Sequence, residues 1–447
     1  MASTAVQTID VDAVIDRAPL GRFQREVFIL CFAMELLDGF DTQSIAFIAP
    51  SLAADWNISL ATFGPIFSAT LVGSMIGVSG AGRLADRYGR RWWAIAAIVL
   101  FGIATLASAA SNTVTDLIVW RLIAGIGLGG ALPNFLSLAA EYAPRRSRST
   151  VIVVTMWGFP LGAVLGGILS ASVIEHVGWR AVLVVGGIAP LLLAPVLVVR
   201  LPESIRFLTL QPSGRKQALR LLNRIDPEVE VDSAQPLEVS QSAALTAGYR
   251  RLFTRELALN SVAFAVAMFM SLLLAYLLVN WIPLLLNQSG MSKQSAVAGT
   301  IVFNIAGILG SYLFTRRVDA LSRPLPLIIK VYCASAFAVA AIGTAGSRFW
   351  PAMACIFLAG FLLIGIQMTL SAFITSSYPT AVRATAVGWV QAVGRFGSLL
   401  GPLAAGALVS VGMLPVQLFA SSSIAAILAA AALGLLVRSK SPVSAHD

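Results

Sequence analysis

Charge is what this 447-residue chain has little of: Asp, Glu, Lys and Arg make up only 12% of it, against 57% hydrophobic residues and a mean hydropathy of +0.84. Soluble globular domains carry about 25% charged residues, so that class is excluded and the chain reads as an integral membrane protein. Histidine is scarcer still. Its two copies, His176 in an expected outer loop and His446 in the tail, leave little room for imidazole chemistry. The three cysteines, Cys31, Cys333 and Cys355, fall inside apolar stretches at no CxxC or metal-ligand spacing and read as small apolar residues. No Ser/His/Asp, Cys/His or metal constellation is visible, which argues against an enzyme and leaves no cofactor or metal to expect.

What is there is a series of long apolar stretches. A bilayer core of about 30 Å needs about 20 apolar residues per helix, and roughly twelve such stretches start near residues 27, 63, 92, 116, 150, 180, 256, 294, 325, 350, 384 and 414. Before the first of them come Asp10, Asp12, Asp16, Arg17, Arg22, Arg25 and Glu26, unlike a cleavable signal peptide, so the first helix is expected to be its own anchor. The net charge of +10 would suit nucleic acid, but the basic residues are distributed by topology. Of 31 Lys and Arg, only Arg180, Lys293 and Arg348 fall in loops of one side, while Arg121 and Arg395 lie within spans. The rest share a side with both termini, which the positive-inside bias places in the cytoplasm.

Between Arg200 and Glu256 the chain turns polar and charge-mixed, with Arg215, Lys216, Arg220, Arg224, Asp226, Glu228, Glu230 and Asp232. The expected organisation is a cytoplasmic segment 1–26, a six-helix bundle 27–199, a linker 200–255, a second bundle 256–437 and a tail 438–447. The halves echo each other: Pro144, Arg148, Thr150, Gly162 and Gly166 recur as Pro379, Arg383, Thr385, Gly397 and Gly401, all at an offset of 235 residues. Parallel six-span repeats with a substrate site near the midplane are a transporter architecture. A receptor or channel has no such repeat to explain.

After the second span comes GRLADRYGRR, Gly82 to Arg91, with a formal charge of +3. Gly82 suits a close approach of two helix ends and Gly89 a tight turn, while Asp86 can cap a helix or pair with an arginine. Arg87 and Arg90 serve as positive-inside anchors or as gating charges. The whole pattern, between the second and third of twelve spans, resembles the signature loop of the major facilitator superfamily. A second copy at Thr315 to Pro324 keeps Asp319 and Arg323 without the glycines. Within that superfamily, DGFDTQSIAFIAP (Asp38 to Pro50), PESIRFL (Pro202 to Leu208) and YPTAVRATAVGWVQAVGRFGSLLGP (Tyr378 to Pro402) resemble the aromatic acid:proton symporter family. The resemblance covers essentially the whole chain. It implies an all-α membrane protein of twelve transmembrane helices in two halves, acting as a monomer in lipid, that carries a small aromatic or related carboxylic acid with protons across the inner membrane. It further implies that Asp38, Asp41, Asp86, Arg121 and Arg395 matter for transport.

The residues support that reading on their own terms. Asp38 and Asp41 lie about 60° apart on one helix face, with Asp41 about 21 Å from the cytoplasmic start of its span. Two carboxylates in one low-dielectric cavity titrate as a coupled pair able to take up a proton. The alternative is a permanent Asp41 to Arg121 ion pair that only joins helices. Glu35 either shares their role or points along another face. Arg395, about 18 Å into the eleventh span, should meet a carboxylate, either the substrate's or one from the first span. Glu141 is expected to close a gate by pairing with an arginine of the Gly82 to Arg91 loop, with Arg383 doing the equivalent in the other half. Phe40, Phe135, Trp157, Tyr276, Trp281 and Trp389 are placed to flank an aromatic ring, or merely to pack. Members of the family often carry a histidine after the eighth span, and Ser322 to Lys330 has none. Two rival functions remain: a proton-antiport exporter of drugs or metabolites, and a transporter with a chemotactic sensing role.

Overall fold

A computed structural model describes residues 9–211, 213–227, 237–238, 249–254 and 257–438, except for the side chains of Ile9, Arg83, Asp86, Leu237, Glu238, Tyr249, Asp319, Thr380, Ala381, Ala384 and Arg438. The expectations on Asp86, Asp319, Glu228, Glu230, Asp232, Glu256 and the tail beyond Arg438 therefore lie outside the described parts. In chain order the helices are α1 (Val11–Arg17), α2 (Arg22–Trp56), α3 (Phe63–Tyr88), α4 (Arg90–Ala109), α5 (Val114–Tyr142), α6 (Arg148–Met156), α7 (Gly158–His176), α8 (Arg180–Arg200), α9 (Ile205–Leu210), α10 (Arg215–Ile225), α11 (Ala258–Gln288), α12 (Lys293–Asp319), α13 (Leu325–Thr344), α14 (Phe349–Ser376), α15 (Thr380–Ser410), α16 (Pro415–Ser422) and α17 (Ile424–Arg438).

Eleven stretches of helix among the described residues are long and apolar enough to cross a membrane, with α6 joined to α7 and α16 joined to α17. The remaining expected span is α2. At 35 residues it is the longest helix, about 52 Å, and it is set apart by Glu35, Asp38 and Asp41 in its middle. It begins at Arg22, five residues before the apolar run does. The basic loop also differs from expectation, because α3 runs through Tyr88 and α4 starts at Arg90, so most of the signature is helix and the turn is Gly89 alone. Side chains cap the starts of two spans: Thr113 Oγ1 accepts the Asp116 N–H at 3.1 Å and Ser292 Oγ the Ser295 N–H at 3.2 Å.

The chain divides into two compact units. Unit 1 comprises residues 1–39, 72–162 and 183–243, and unit 2 residues 40–71, 163–182 and 244–447. In unit 1, α4 lies along α5, and glycines bring backbones together without side-chain cost: a Cβ on Gly129 would meet Ser74 O at 2.0 Å. The N-terminal segment is built into this unit. Val11, Val14 and Ile15 of α1 are buried in one apolar cluster with Leu221, Leu222 and Ile225 of the amphipathic α10. Asp12 meets Arg206, and Asp16 meets Arg145 at 3.2 Å. In unit 2, α11 lies along α15 and α12 along α14. Residues 40–71 and 163–182 pack here against second-half helices: Ser68 Oγ donates to Leu399 O at 3.1 Å, and a Cβ on Gly64 would meet Gly406 Cα at 3.2 Å.

The sequence repeat has structural content. Arg148 Nη2 donates to Ala143 O at 3.3 Å and Arg383 Nε to Tyr378 O at 3.2 Å, so both arginines, 235 residues apart, hold the carbonyl five residues back. A Cβ on Gly162 would meet Leu36 O at 1.8 Å, and one on Gly397 would meet Phe269 O at 2.1 Å. Each repeated glycine therefore marks a seam between two helices.

Candidate functional site

The centre of α2 concentrates charge where it is costly. Glu35, Asp38 and Asp41 are 7, 8 and 1% exposed, and an intramembrane carboxylate is a functional candidate by default. Glu35 is as buried as Asp38. Asp38 belongs to unit 1 and Asp41 to unit 2, although one continuous helix carries both. The Asp41 carbonyl accepts a hydrogen bond from Ser44 Oγ at 2.7 Å.

The two arginines within spans behave differently. Arg121, on α5 in unit 1, is fully buried and Nη2 donates to Thr105 Oγ1 at 3.1 Å. Arg395, on α15 in unit 2, is exposed and forms no ion pair among the described residues. Its neighbour Gly394 sits tight against Met268 and Leu272 of α11, so backbone packing at Gly394 and Gly397 fixes where the guanidinium emerges. An exposed guanidinium with no internal carboxylate is available to bind an acid from outside the protein.

At the other end of unit 1 a polar network holds the basic turn. Arg90 Nη1 contacts Glu141 Oε1 and Ser137 Oγ, joining the signature to α5. Ser204 Oγ donates to the second Glu141 oxygen at 2.6 Å and accepts the Phe207 N–H at 3.1 Å, capping α9. Glu203 Oε1 accepts the N–H of Arg91 at 3.1 Å and that of Ser204 at 2.9 Å, while its carbonyl accepts Tyr142 Oη at 2.7 Å. Glu203 and Ser204 were legible only as part of PESIRFL, and nothing in that motif by itself indicated that the pair clamps the signature turn. Gly89 has φ +91°, as a tight turn requires. Gly82 departs from the close approach expected of it: it lies within α3 with nothing within 4 Å of a built Cβ, so it brings no two helix ends together here. Arg87 is exposed, its guanidinium over the Tyr88 ring. Arg383 holds a backbone carbonyl, and no carboxylate pairs with it among the described residues.

Several aromatic candidates are committed elsewhere. Phe135 is fully buried in the apolar cluster of unit 1. Trp281 is fully buried, donates Nε1–H to Pro402 O at 3.2 Å and stands edge-on to Phe67. Trp389 meets Phe253 edge to face at 5.4 Å between centroids. Phe40 is buried against Gly166. Trp157 sits at the break between α6 and α7. Tyr276 lies on α11, and its carbonyl accepts from Asn280 Nδ2 at 2.7 Å.

The chain has known relatives. Residues 31–402 match the Major Facilitator Superfamily. The chain is 35% identical over 430 residues to the 4-hydroxybenzoate transporter PcaK of Pseudomonas aeruginosa, covering 96% of both chains. It is 37% identical over 409 residues to the gallate transporter of Pseudomonas putida, covering 91% of this chain and 90% of that one. Among solved structures, the inward open conformation of the xylose transporter XylE from E. coli superposes with a TM-score of 0.70 at 19% identity, over 92% of this chain and 96% of that one. At that identity the likeness is one of fold.

Proposed function

The chain belongs to the major facilitator superfamily, within its aromatic acid:proton symporter family, and on that premise we propose that it takes up a hydroxylated aromatic acid or related carboxylic acid together with protons. It is a multi-pass membrane transporter related to aromatic acid transporters. The observation that carries proton coupling is the burial of three carboxylates in one continuous helix. Ionised together they would cost several kcal/mol each, and a proton bound on entry and released on exit removes that cost in turn. Asp38 and Asp41 are the coupling carboxylates in this reading, Arg121 is a buried cation of the same transport machinery, and Arg395 receives the substrate carboxylate. Arg90 and Glu141, with Asp86, Arg87 and Arg383, are the gating residues of the side that bears the termini, and Gly89 supplies the turn of the signature loop.

That side is the cytoplasm and the membrane the inner membrane, by the distribution of Lys and Arg. The two halves, 27–199 and 256–437, move about a midplane site and are joined by the linker 200–255. Packing of residues 40–71 and 163–182 against second-half helices supports a state closed on the far side. The test is uptake of radiolabelled aromatic acids by cells expressing the chain, at acidic and neutral external pH, with and without a protonophore. Accumulation that rises at acidic pH and collapses with protonophore is expected. Protonophore-sensitive loss of preloaded compound without uptake would overturn the reading in favour of an exporter.

A further inference from the structure

Unit 2 contains a buried polar contact that the transport reading has not used. Gln43 of α2 and Asn304 of α12, 0 and 5% exposed, exchange side-chain hydrogen bonds: Gln43 Nε2 donates to Asn304 Oδ1 at 3.3 Å, and Asn304 Nδ2 donates to Gln43 Oε1 at 3.0 Å. Asn304 Nδ2 also donates to Thr300 O at 2.8 Å, which fixes the orientation of its amide. Close packing surrounds the pair. A Cβ on Gly167 of α7 would meet Ile301 Cγ1 at 2.6 Å and Phe47 Cζ at 3.5 Å, so α2, α7 and α12 touch within one turn of the two amides.

One turn beyond the pair, toward the far side, a cavity of 690 Å³ begins. Phe47 and Val297 line it near the amides, and Ser51, Ser170, Glu175 and Gln294 line it further along. Gln294 Nε2 contacts Glu175 Oε2, linking the N-terminal end of α12 to the last turn of α7. In the other direction Asp41 lies two residues from Gln43, about 3 Å along the axis and about 200° around it. The amide pair thus stands between the far-side cavity and the depth of the coupling carboxylates, on the opposite face of α2 from Asp41.

Amide pairs also hold static seams between membrane helices, and it is the surroundings of this pair that set it apart. Here the hydroxyls of Thr300 and Ser170 are also buried, with no hydrogen-bond partner among the described residues, whereas buried hydroxyls are normally satisfied. Such groups fit a seam that is dry in one state and wetted in another. Resting on the transport reading above, we propose that Gln43 and Asn304 form the far-side gate of the transport path: paired they seal it, and they part to admit substrate from the cavity. Both amides are neutral, so the seal itself does not titrate. Protonation acts on the opposite face of the same helix.

The test reads opening of the seam beside the pair, in which Ser170 is fully buried, without any substrate. Ser170 is replaced by cysteine, nearly isosteric and at a hydroxyl that forfeits no hydrogen bond, in a chain whose Cys31, Cys333 and Cys355 are replaced by alanine. Labelling by a membrane-impermeant maleimide is followed in right-side-out vesicles. Gln43→Met and Asn304→Leu, each close in volume to the original, should raise the labelling rate three- to tenfold. The exchanged pair, Gln43→Asn with Asn304→Gln, restores two facing amides and should return the rate toward that of the parent. Unchanged labelling in both single variants, with normal yield and monodispersity, would overturn the gate. A chain that fails the uptake test yet shows the labelling pattern keeps its gate and loses only the proposed substrate or direction.

Discussion

The carboxylate of Glu203 lies against the α carbon of Gly89: a Cβ built there would meet Oε2 at 2.3 Å, at a backbone φ of +91° and ψ of 150°. That conformation is open to glycine and costs other residues about 1–3 kcal/mol. The clash adds to it, because Glu203 is held by two backbone N–H groups and cannot simply swing away.

Gly89→Ala is therefore expected to lower the thermal unfolding midpoint of the detergent-purified protein by several degrees and to cut uptake severely. Gly82→Ala, in open space within α3, should leave the stability within about 1 kcal/mol of wild type, since alanine favours a helix over glycine by about that much. Equal damage from the two substitutions would show that the turn geometry is not what the signature glycines serve.

Arg90 and Glu141 should behave as a pair. Arg90 is 26% exposed but Glu141 only 8%, so removing the arginine leaves a mostly buried carboxylate with Ser204 as its remaining hydrogen-bond partner through a side chain. Orphaning a buried charge costs about 3–5 kcal/mol, and the partial exposure of Arg90 places the expected loss below that range. Arg90→Ala should destabilise the protein more than Arg90→Ala combined with Glu141→Gln. Unfolding midpoints of Arg90→Ala, Glu141→Gln and the double variant decide it; additive losses would mean that the two residues act independently.

Asp41→Asn keeps the shape of the side chain and removes its titration. Gradient-driven accumulation should be lost, while exchange of labelled for unlabelled substrate across proteoliposomes persists at a rate within about tenfold of wild type, because exchange needs no net proton movement. Accumulation at the wild-type level in this variant would end the coupling role assigned to Asp41.

Arg395 separates binding from folding. It is exposed and forms no ion pair among the described residues, so Arg395→Lys should leave the unfolding midpoint unchanged and raise KM for a carboxylate substrate about tenfold, through loss of the bidentate fork. Arg395→Ala with normal transport would remove the substrate contact.

The membrane class, the positions of the spans, the acidic α2 and the 235-residue repeat were all legible in the residues, because each rests on local quantities: hydropathy over a helix length, charge inside an apolar run, spacing along one chain. Arg148 and Arg383 show how far this reaches, since two arginines identified as repeats also make the same backbone contact. Gly82 shows where it stops. Its place in the pattern suggested a close approach, and whether a neighbour lies there is a question about another helix.

By itself, then, the sequence determined that this is a membrane-embedded, all-helical transporter of the major facilitator superfamily, with carboxylates and arginines at membrane depth, because burial of charge in lipid is costly enough to mark itself in composition. Only the tertiary structure decided which partners those residues meet. Glu203 clamps Gly89, Glu141 is divided between Arg90 and Ser204, Trp281 spends its N–H on Pro402, and Gln43 finds Asn304 across 261 positions of chain. A hydrogen bond depends on atoms being about 3 Å apart, and helices joined by loops of many lengths bring such atoms together in ways that no local spacing records.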